Sequence, residues 1–284
     1  MIPKTTTLLV LISFFVFSVN LYGQKKIEKS KEELTEQSGV NYQNSSSSSS
    51  SRNDNSSSSS GGESWFAEVF VEVLFGATVG VFKYGIIGDY TTEDHLYNNL
   101  SHYPYKDGSY GNFNSGDTLV KSKIRIDIED SFLYGNKNLV GNHFKAKIRP
   151  FQYFYLQTDF RQIFEFDPIN DRNYKLYFSH FTLGYDRIRM NKFNLGWNLG
   201  VSYIGNDIRK TGFTYGISTD YFLDKNISFS GSAKWSKINT RPVNAFELQG
   251  KYHKKNYFFS LGLEHLKIAT PTYNFVTLGA GIYF

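Results

Sequence analysis

The stretch FNLGWNLGVSY sets Phe193, Leu195, Trp197, Leu199, Val201 and Tyr203 against Asn194, Gly196, Asn198, Gly200 and Ser202. An unbroken period of two places the first set on one side of a β-strand and the second on the other. One side is oily and the other is small and polar, so this strand must separate an apolar phase from a polar one. Nearly everything that follows in the chain repeats the pattern.

In KSKIRIDIED, Ile124, Ile126 and Ile128 oppose Lys123, Arg125, Asp127 and Glu129. HFKAKIR sets Phe144, Ala146 and Ile148 against Lys145, Lys147 and Arg149. YFYLQTDFRQ sets Phe154, Leu156, Thr158 and Phe160 against Tyr155, Gln157, Asp159 and Arg161. KLYFSHFTLGYD puts Asp186 opposite its apolar face, FTYGISTDY does so with Asp220, and ISFSGSAKWS with Lys234. AFELQGKYH and YFFSLGLEHL add Glu247, Lys251 and Glu264, and TLGAGIYF closes the chain on Phe284, with its apolar face committed to the last residue. The count predicts about ten strands from Thr118 onward, with eight and twelve as the alternatives.

Short joins at 149–151, 186–192, 223–226 and 253–256 alternate with a second set, such as LYGNKNLVG and EFDPINDRN, which reads as longer. An even-stranded meander brings both of its ends to one side. Bulky rings dominate the apolar face, whereas Gly, Ser, Asn and charged residues dominate the other. A ring of ten strands encloses a narrow interior that the small and paired polar residues fit and the large rings do not, so the expected arrangement is apolar outside and ionic inside. Aromatics make up 18% of the chain, and Tyr185, Phe193, Tyr203, Tyr221 and Trp235 fall near strand ends, where interfacial girdles form.

The N-terminal region has a different character. Residues 1–23 carry Lys4 ahead of an apolar run from Leu8 to Val19, a pattern expected of a secretory signal peptide cleaved near Gly23. Residues 24–62, charged with a short helical stretch and then serine-rich, read as a disordered periplasmic tether through which a periplasmic partner would be engaged. Residues 63–117 begin with ESWFAEVFVEVLFGATVGVFKYGIIGDY, which reads as a membrane-surface helix or lumen plug, with a further strand pair as the competing reading. A connection follows, and the barrel domain spans 118–284.

The chain contains no cysteine, which excludes disulfides and thiolate chemistry. Its net charge of +5 is too mild and scattered to indicate nucleic acid. The six histidines show no metal-ligand spacing, so no metal or cofactor is expected. Ser179 and His180 are adjacent and point to opposite faces, while Ser260 and Glu264 share a face at about 13 Å separation, which leaves an enzymatic reading weakly founded. Arg172, Arg209, Lys210, Arg241 and Lys267 fall in or beside the joins, where lipid phosphates are one partner and water the plainer one.

With its leader, amphipathic strands, tight turns and terminal aromatic strand, the chain resembles the bacterial outer-membrane β-barrel class over about 118–284. The resemblance implies outer-membrane lipid as the surroundings, a periplasmic C-terminus, and Phe284 as the signal read by the β-barrel assembly machinery. Three functional readings stay open: a closed structural or interaction barrel, a porin-like narrow path for small ions, and a lipid-modifying enzyme.

Overall fold

The computed structural model describes residues 25–36, 88, 98–115 and 124–284. The leader, the serine-rich stretch, the apolar stretch from Glu63 and Lys123 lie outside the described residues. Helix α1 spans Lys26–Thr35, followed by two short strands, β1 (Asn98–Leu100) and β2 (Phe113–Ser115). Ten longer strands come next: β3 (Arg125–Asn136), β4 (Leu139–Arg149), β5 (Phe154–Asp167), β6 (Arg172–Arg189), β7 (Phe193–Ile204), β8 (Lys210–Phe222), β9 (Ile227–Ile238), β10 (Arg241–Lys254), β11 (Tyr257–Ile268) and β12 (Thr272–Tyr283). Each pairs antiparallel with its sequence neighbours, and β12 pairs with β3 to close the barrel. The expected ten-stranded closed barrel is the observed one.

The exterior of the barrel identifies its solvent. Leu278 is 64% exposed, Phe213 63%, Leu261 61% and Leu248 60%, and they belong to an outward band that continues through Leu156, Phe181, Val201 and Ile217. Soluble monomers rarely expose more than a few hundred Å² of contiguous apolar surface, and strands of 11 to 18 residues exceed the roughly 9–11 needed to cross a bilayer at a tilt. Closure leaves no unpaired edge for lipid to face. The barrel is transmembrane. Tyr185 packs 5.6 Å from Trp197 and Tyr215 stacks 5.7 Å from Trp235, measured between ring centroids, within the outward aromatic clusters.

Both sets of joins are tight, which corrects the expectation of one longer set. Asn136 pairs with Leu139 across a two-residue turn, so most of LYGNKNLVG is strand; the Gly and Asn that suggested a loop are tolerated at the rim. Turns near Phe284 define what is here called the terminal mouth, and those at 137–138, 168–171, 205–209, 239–240 and 269–271 the distal mouth.

Helix α1 sits in the distal mouth. Ile27, Ser30 and Leu34, at i, i+3 and i+7, form its buried stripe. The barrel supplies the capping groups that the helix lacks: the Glu165 carboxylate accepts from the backbone N–H groups of Lys26 (3.1 Å) and Ile27 (2.8 Å), and Asn239 Nδ2 donates to the carbonyls of Leu34 (2.8 Å) and Glu36 (2.9 Å). The first part of the stretch read as a free tether is therefore docked, at the mouth opposite Phe284. Its two apolar residues find a ready apolar surface there.

The β1–β2 pair belongs to the terminal mouth. Tyr105 Oη donates to the Leu223 carbonyl at 2.6 Å, Arg125 Nη1 donates to the Ser101 carbonyl at 3.2 Å, and Asn112 Nδ2 donates to Asp220 Oδ2 at 3.2 Å. Gly111 lies so close to the Asn191 carbonyl and the Phe222 ring that a Cβ would collide with both.

Candidate functional site: the lumen

The inward side chains form three tiers, and register explains how each is assembled. Next to the terminal mouth, Arg125 lies opposite Arg149 and Asp127 opposite Lys147. Arg125 Nε donates to Asp127 Oδ1 at 2.7 Å and its guanidinium stands 4.6 Å from the Tyr283 ring centroid. Arg149 pairs with Asp186 and lies 5.0 Å from the Tyr155 centroid. The Tyr155 ring lies directly over Gly184, where no side chain could fit. Lys147 stands 4.5 Å from the same ring centroid, and Asp220 faces the plug through Asn112.

In the middle tier the strands bring like charges together and cross-barrel partners resolve them. Glu247 lies opposite Glu264 on β10 and β11, an arrangement that is unfavourable by itself. Lys145 bridges one side, 2.6 Å from Glu247 and 3.5 Å from Glu129. Arg161 takes Glu264 on the other. Glu129 also meets Lys251 at 2.8 Å, Gln249 Nε2 at 2.9 Å and Ser260 Oγ at 3.0 Å, while Asp159 pairs with Lys234. His143 joins the halves, with Nδ1 3.0 Å from Glu264 and Nε2 3.3 Å from Asp159.

The third tier, beneath α1, is apolar: Leu133, Ile163, Phe178, Ile204, Leu266 and Phe275 are among the inward residues packed with Ile27 and Leu34. The sequence reading assigned a polar lumen along its full length, and this end departs from it. At those strand ends the alternation reverses, with Leu266, Ile268, Tyr273 and Phe275 inward and His265, Lys267 and Asn274 outward, so the polar side no longer marks the interior. His143 also went unassigned, although it shares a period with Lys145, Lys147 and Arg149. Arg189 falls within the join expected at 186–192, but a bulge between Asp186 and Ile188 carries β6 on to it, and its guanidinium stands 3.8 Å from the Tyr153 centroid.

Of the other sequence-derived candidates, Phe284 projects outward at the seam, where its backbone exchanges hydrogen bonds with Ile126 at 2.8 and 3.1 Å. His180 is buried with Nδ1 3.3 Å from Arg161 Nη1, and Ser260 is bound to Glu129, so neither forms a nucleophile–base pair. The close Ser–His contact is instead Ser228 Oγ to His253 Nε2 at 2.7 Å, with Tyr283 Oη 3.4 Å from Nδ1; the position of the orienting acid in a triad is held by a phenol. His143, Glu247 and Glu264 bring ligand atoms within 4.8 Å of one another, but Lys145 and Arg161 nitrogens already stand at those carboxylates.

Outside the spanning strands, the Lys31 ammonium 2.9 Å from Asp207 holds that carboxyl below its ordinary range. Burial, reinforced by Asp224, pushes the Tyr105 phenol up to about 12. Lys192, bonded to Asp224 at 2.8 Å, is raised.

No family model matches the chain, and no curated protein does. Among solved structures, the N-terminal β-barrel domain of Pseudomonas aeruginosa OprF is similar at 10% identity and a TM-score of 0.28, covering 57% of this chain and 96% of that one. LpxR from Salmonella typhimurium is similar at 9% identity and 0.35, covering 59% and 86%. Yersinia pestis outer membrane protein Ail is similar at 13% identity and 0.32, covering 58% and 100%. At that level of likeness nothing about ligands or activity transfers to this chain.

Proposed function

We propose that this chain is an outer-membrane barrel of the bacterial type whose lumen is closed, serving a structural or interaction role, with its C-terminus periplasmic and α1 at the outer face. The observation that carries the reading is the occupation of both mouths by the chain itself, α1 in one and the β1–β2 segment in the other, above and below a tier of paired charges. A pore has no use for two stoppers and a cross-linked middle. Phe284, completing the seam between β12 and β3, is the end that assembly machinery would read, and docked α1 offers the outer face a charged surface for a partner. The experiment is conductance of the purified protein in planar bilayers. Silence from correctly folded protein, persisting after deletion of residues 25–36, supports a closed core; steady single-channel currents from the intact chain refute it. The narrow-path reading is favoured by one feature, a polar cavity of about 100 Å³ below the ionic tier, and those same currents would establish it.

A further inference from the structure

The cavity between the middle tier and the terminal plug contains two charges that the network leaves over. Lys147 and Asp220 both line it. Among the described residues, no carboxylate oxygen lies within 4.0 Å of the Lys147 ammonium and no cationic nitrogen within 4.0 Å of the Asp220 carboxylate. In direct contact the ammonium has the Tyr155 ring face and the carboxylate the Asn112 amide on one oxygen; Asp220 is the leading opposite charge acting on Lys147, but it does so across the chamber and not through an ion pair. Neighbouring charges are committed: Arg149 to Asp186, Arg125 to Asp127, and Lys251 and Lys145 to Glu129. An ammonium and a carboxylate removed from bulk water are costly unless each meets an opposite charge or water.

We propose that this chamber binds a small zwitterion, an amino acid of about glycine or alanine size, with the ligand carboxylate on Lys147 and its ammonium on Asp220. A lone anion would satisfy Lys147 and leave Asp220 bare, and a lone cation the reverse; a dipolar ligand of no net charge satisfies both and leaves the charge balance of the lumen unchanged. Size agrees. At about 30 Å³ per water, a chamber of about 100 Å³ has room for about three waters or one such molecule. Beside Asp220 the wall carries the hydroxyls of Ser218, in contact with Tyr155 Oη, and Ser230, which donates to Gln249 and keeps its lone pairs for a ligand ammonium.

The test is retention of tritiated glycine by the intact purified protein, refolded in detergent in its presence and then desalted, with labelled acetate and methylammonium as single-charge probes. The expected result is close to one glycine per chain, little of either probe, and about a tenfold lower retention in Lys147→Gln and in Asp220→Asn, each of which removes one charge-assisted contact. Ser230→Leu, which keeps every charge and fills the chamber, is expected to abolish retention and guards against failure of the charge variants to fold. No glycine on the wild type, water alone being the occupant, overturns the proposal. So does retention unchanged by Ser230→Leu, or acetate or methylammonium held better than glycine.

Discussion

Glu264 is the most exacting place to probe the ionic tier. Its side chain has no solvent exposure and accepts from two groups that are themselves buried, the Arg161 guanidinium and His143 Nδ1 at 3.0 Å. Glu264→Gln keeps the volume and removes the charge, leaving a guanidinium against a neutral amide in a water-poor interior. Breaking one member of a buried pair costs about 3–5 kcal/mol, whereas replacing both members by apolar groups of similar volume is often neutral. Glu264→Gln should therefore lower unfolding free energy by about 3–5 kcal/mol, and Glu264→Leu combined with Arg161→Met should recover most of it. Reversible urea unfolding in lipid vesicles, followed by Trp fluorescence, measures both. Equal stability of wild type and Glu264→Gln, or a double variant as damaged as the sum of its singles, would refute the claim that the tier is held by mutual compensation.

Leu34→Asp removes an apolar contact worth about 2–3 kcal/mol and places a carboxylate in the apolar tier, so α1 should leave the distal mouth; hydrogen exchange of its amides should rise to that of free peptide, and protection equal to wild type would contradict the docking. The terminal plug should loosen in alkali: burial keeps the Tyr105 phenol protonated to about 12, above the ordinary value of about 10, so the released segment sheds its proton first and the plug loses stability as pH rises through that window. Protease access to 98–115 should grow from pH 10 to 12 in the wild type and stay flat in Tyr105→Phe. Deleting Phe284 removes both backbone bonds to Ile126 and should slow barrel closure, seen as a smaller heat-modifiable fraction at early times on gels. Lys251→Met should cost less than Glu264→Gln, because its side chain is 14% exposed where that of Glu264 has no exposure; the same urea titration decides the order.

The wall of the barrel was legible because lipid and lumen demand opposite chemistry from adjacent residues. In β7 that demand holds from Phe193 to Tyr203 without exception, and strand, face and closure follow from it. Legibility ended where the demand does. At the distal end of β6, Leu176 and Phe178 face inward with half-buried Tyr174, while Asn173 and Lys175 are exposed on the outward face, so the apolar side of the alternation there is the interior and the rule read from mid-strand points the wrong way. Helix α1 presents two apolar residues among eight polar ones, a composition shared with solvated helices; its docking depends on Glu165 and Asn239, more than a hundred residues away. Pairing within the ionic tier was equally out of reach. The sequence shows which residues point inward, whereas the choice of Lys145 for Glu247 and Arg161 for Glu264 is made across the lumen by closure.

The two ends of the lumen also set the strength of what lies between them. On the distal side the charges abut an apolar tier roofed by α1, so Arg161, Glu264 and His143 have little but one another to compensate them. On the terminal side Lys251 and Glu129 border a polar chamber lined with serine hydroxyls, where water can share the work. Effective dielectric falls along the axis from plug to helix, and with it rises the penalty for an unpaired charge. Pairing is correspondingly stricter toward the helix: Glu264 is met by Arg161 and His143 together, while Lys147 and Asp220, opposed across the chamber without a direct ion pair, lie on the chamber side. Charges can be left over only where something small and polar can reach them, which is why the chamber, and not the ionic tier, is the place in this barrel to look for a ligand.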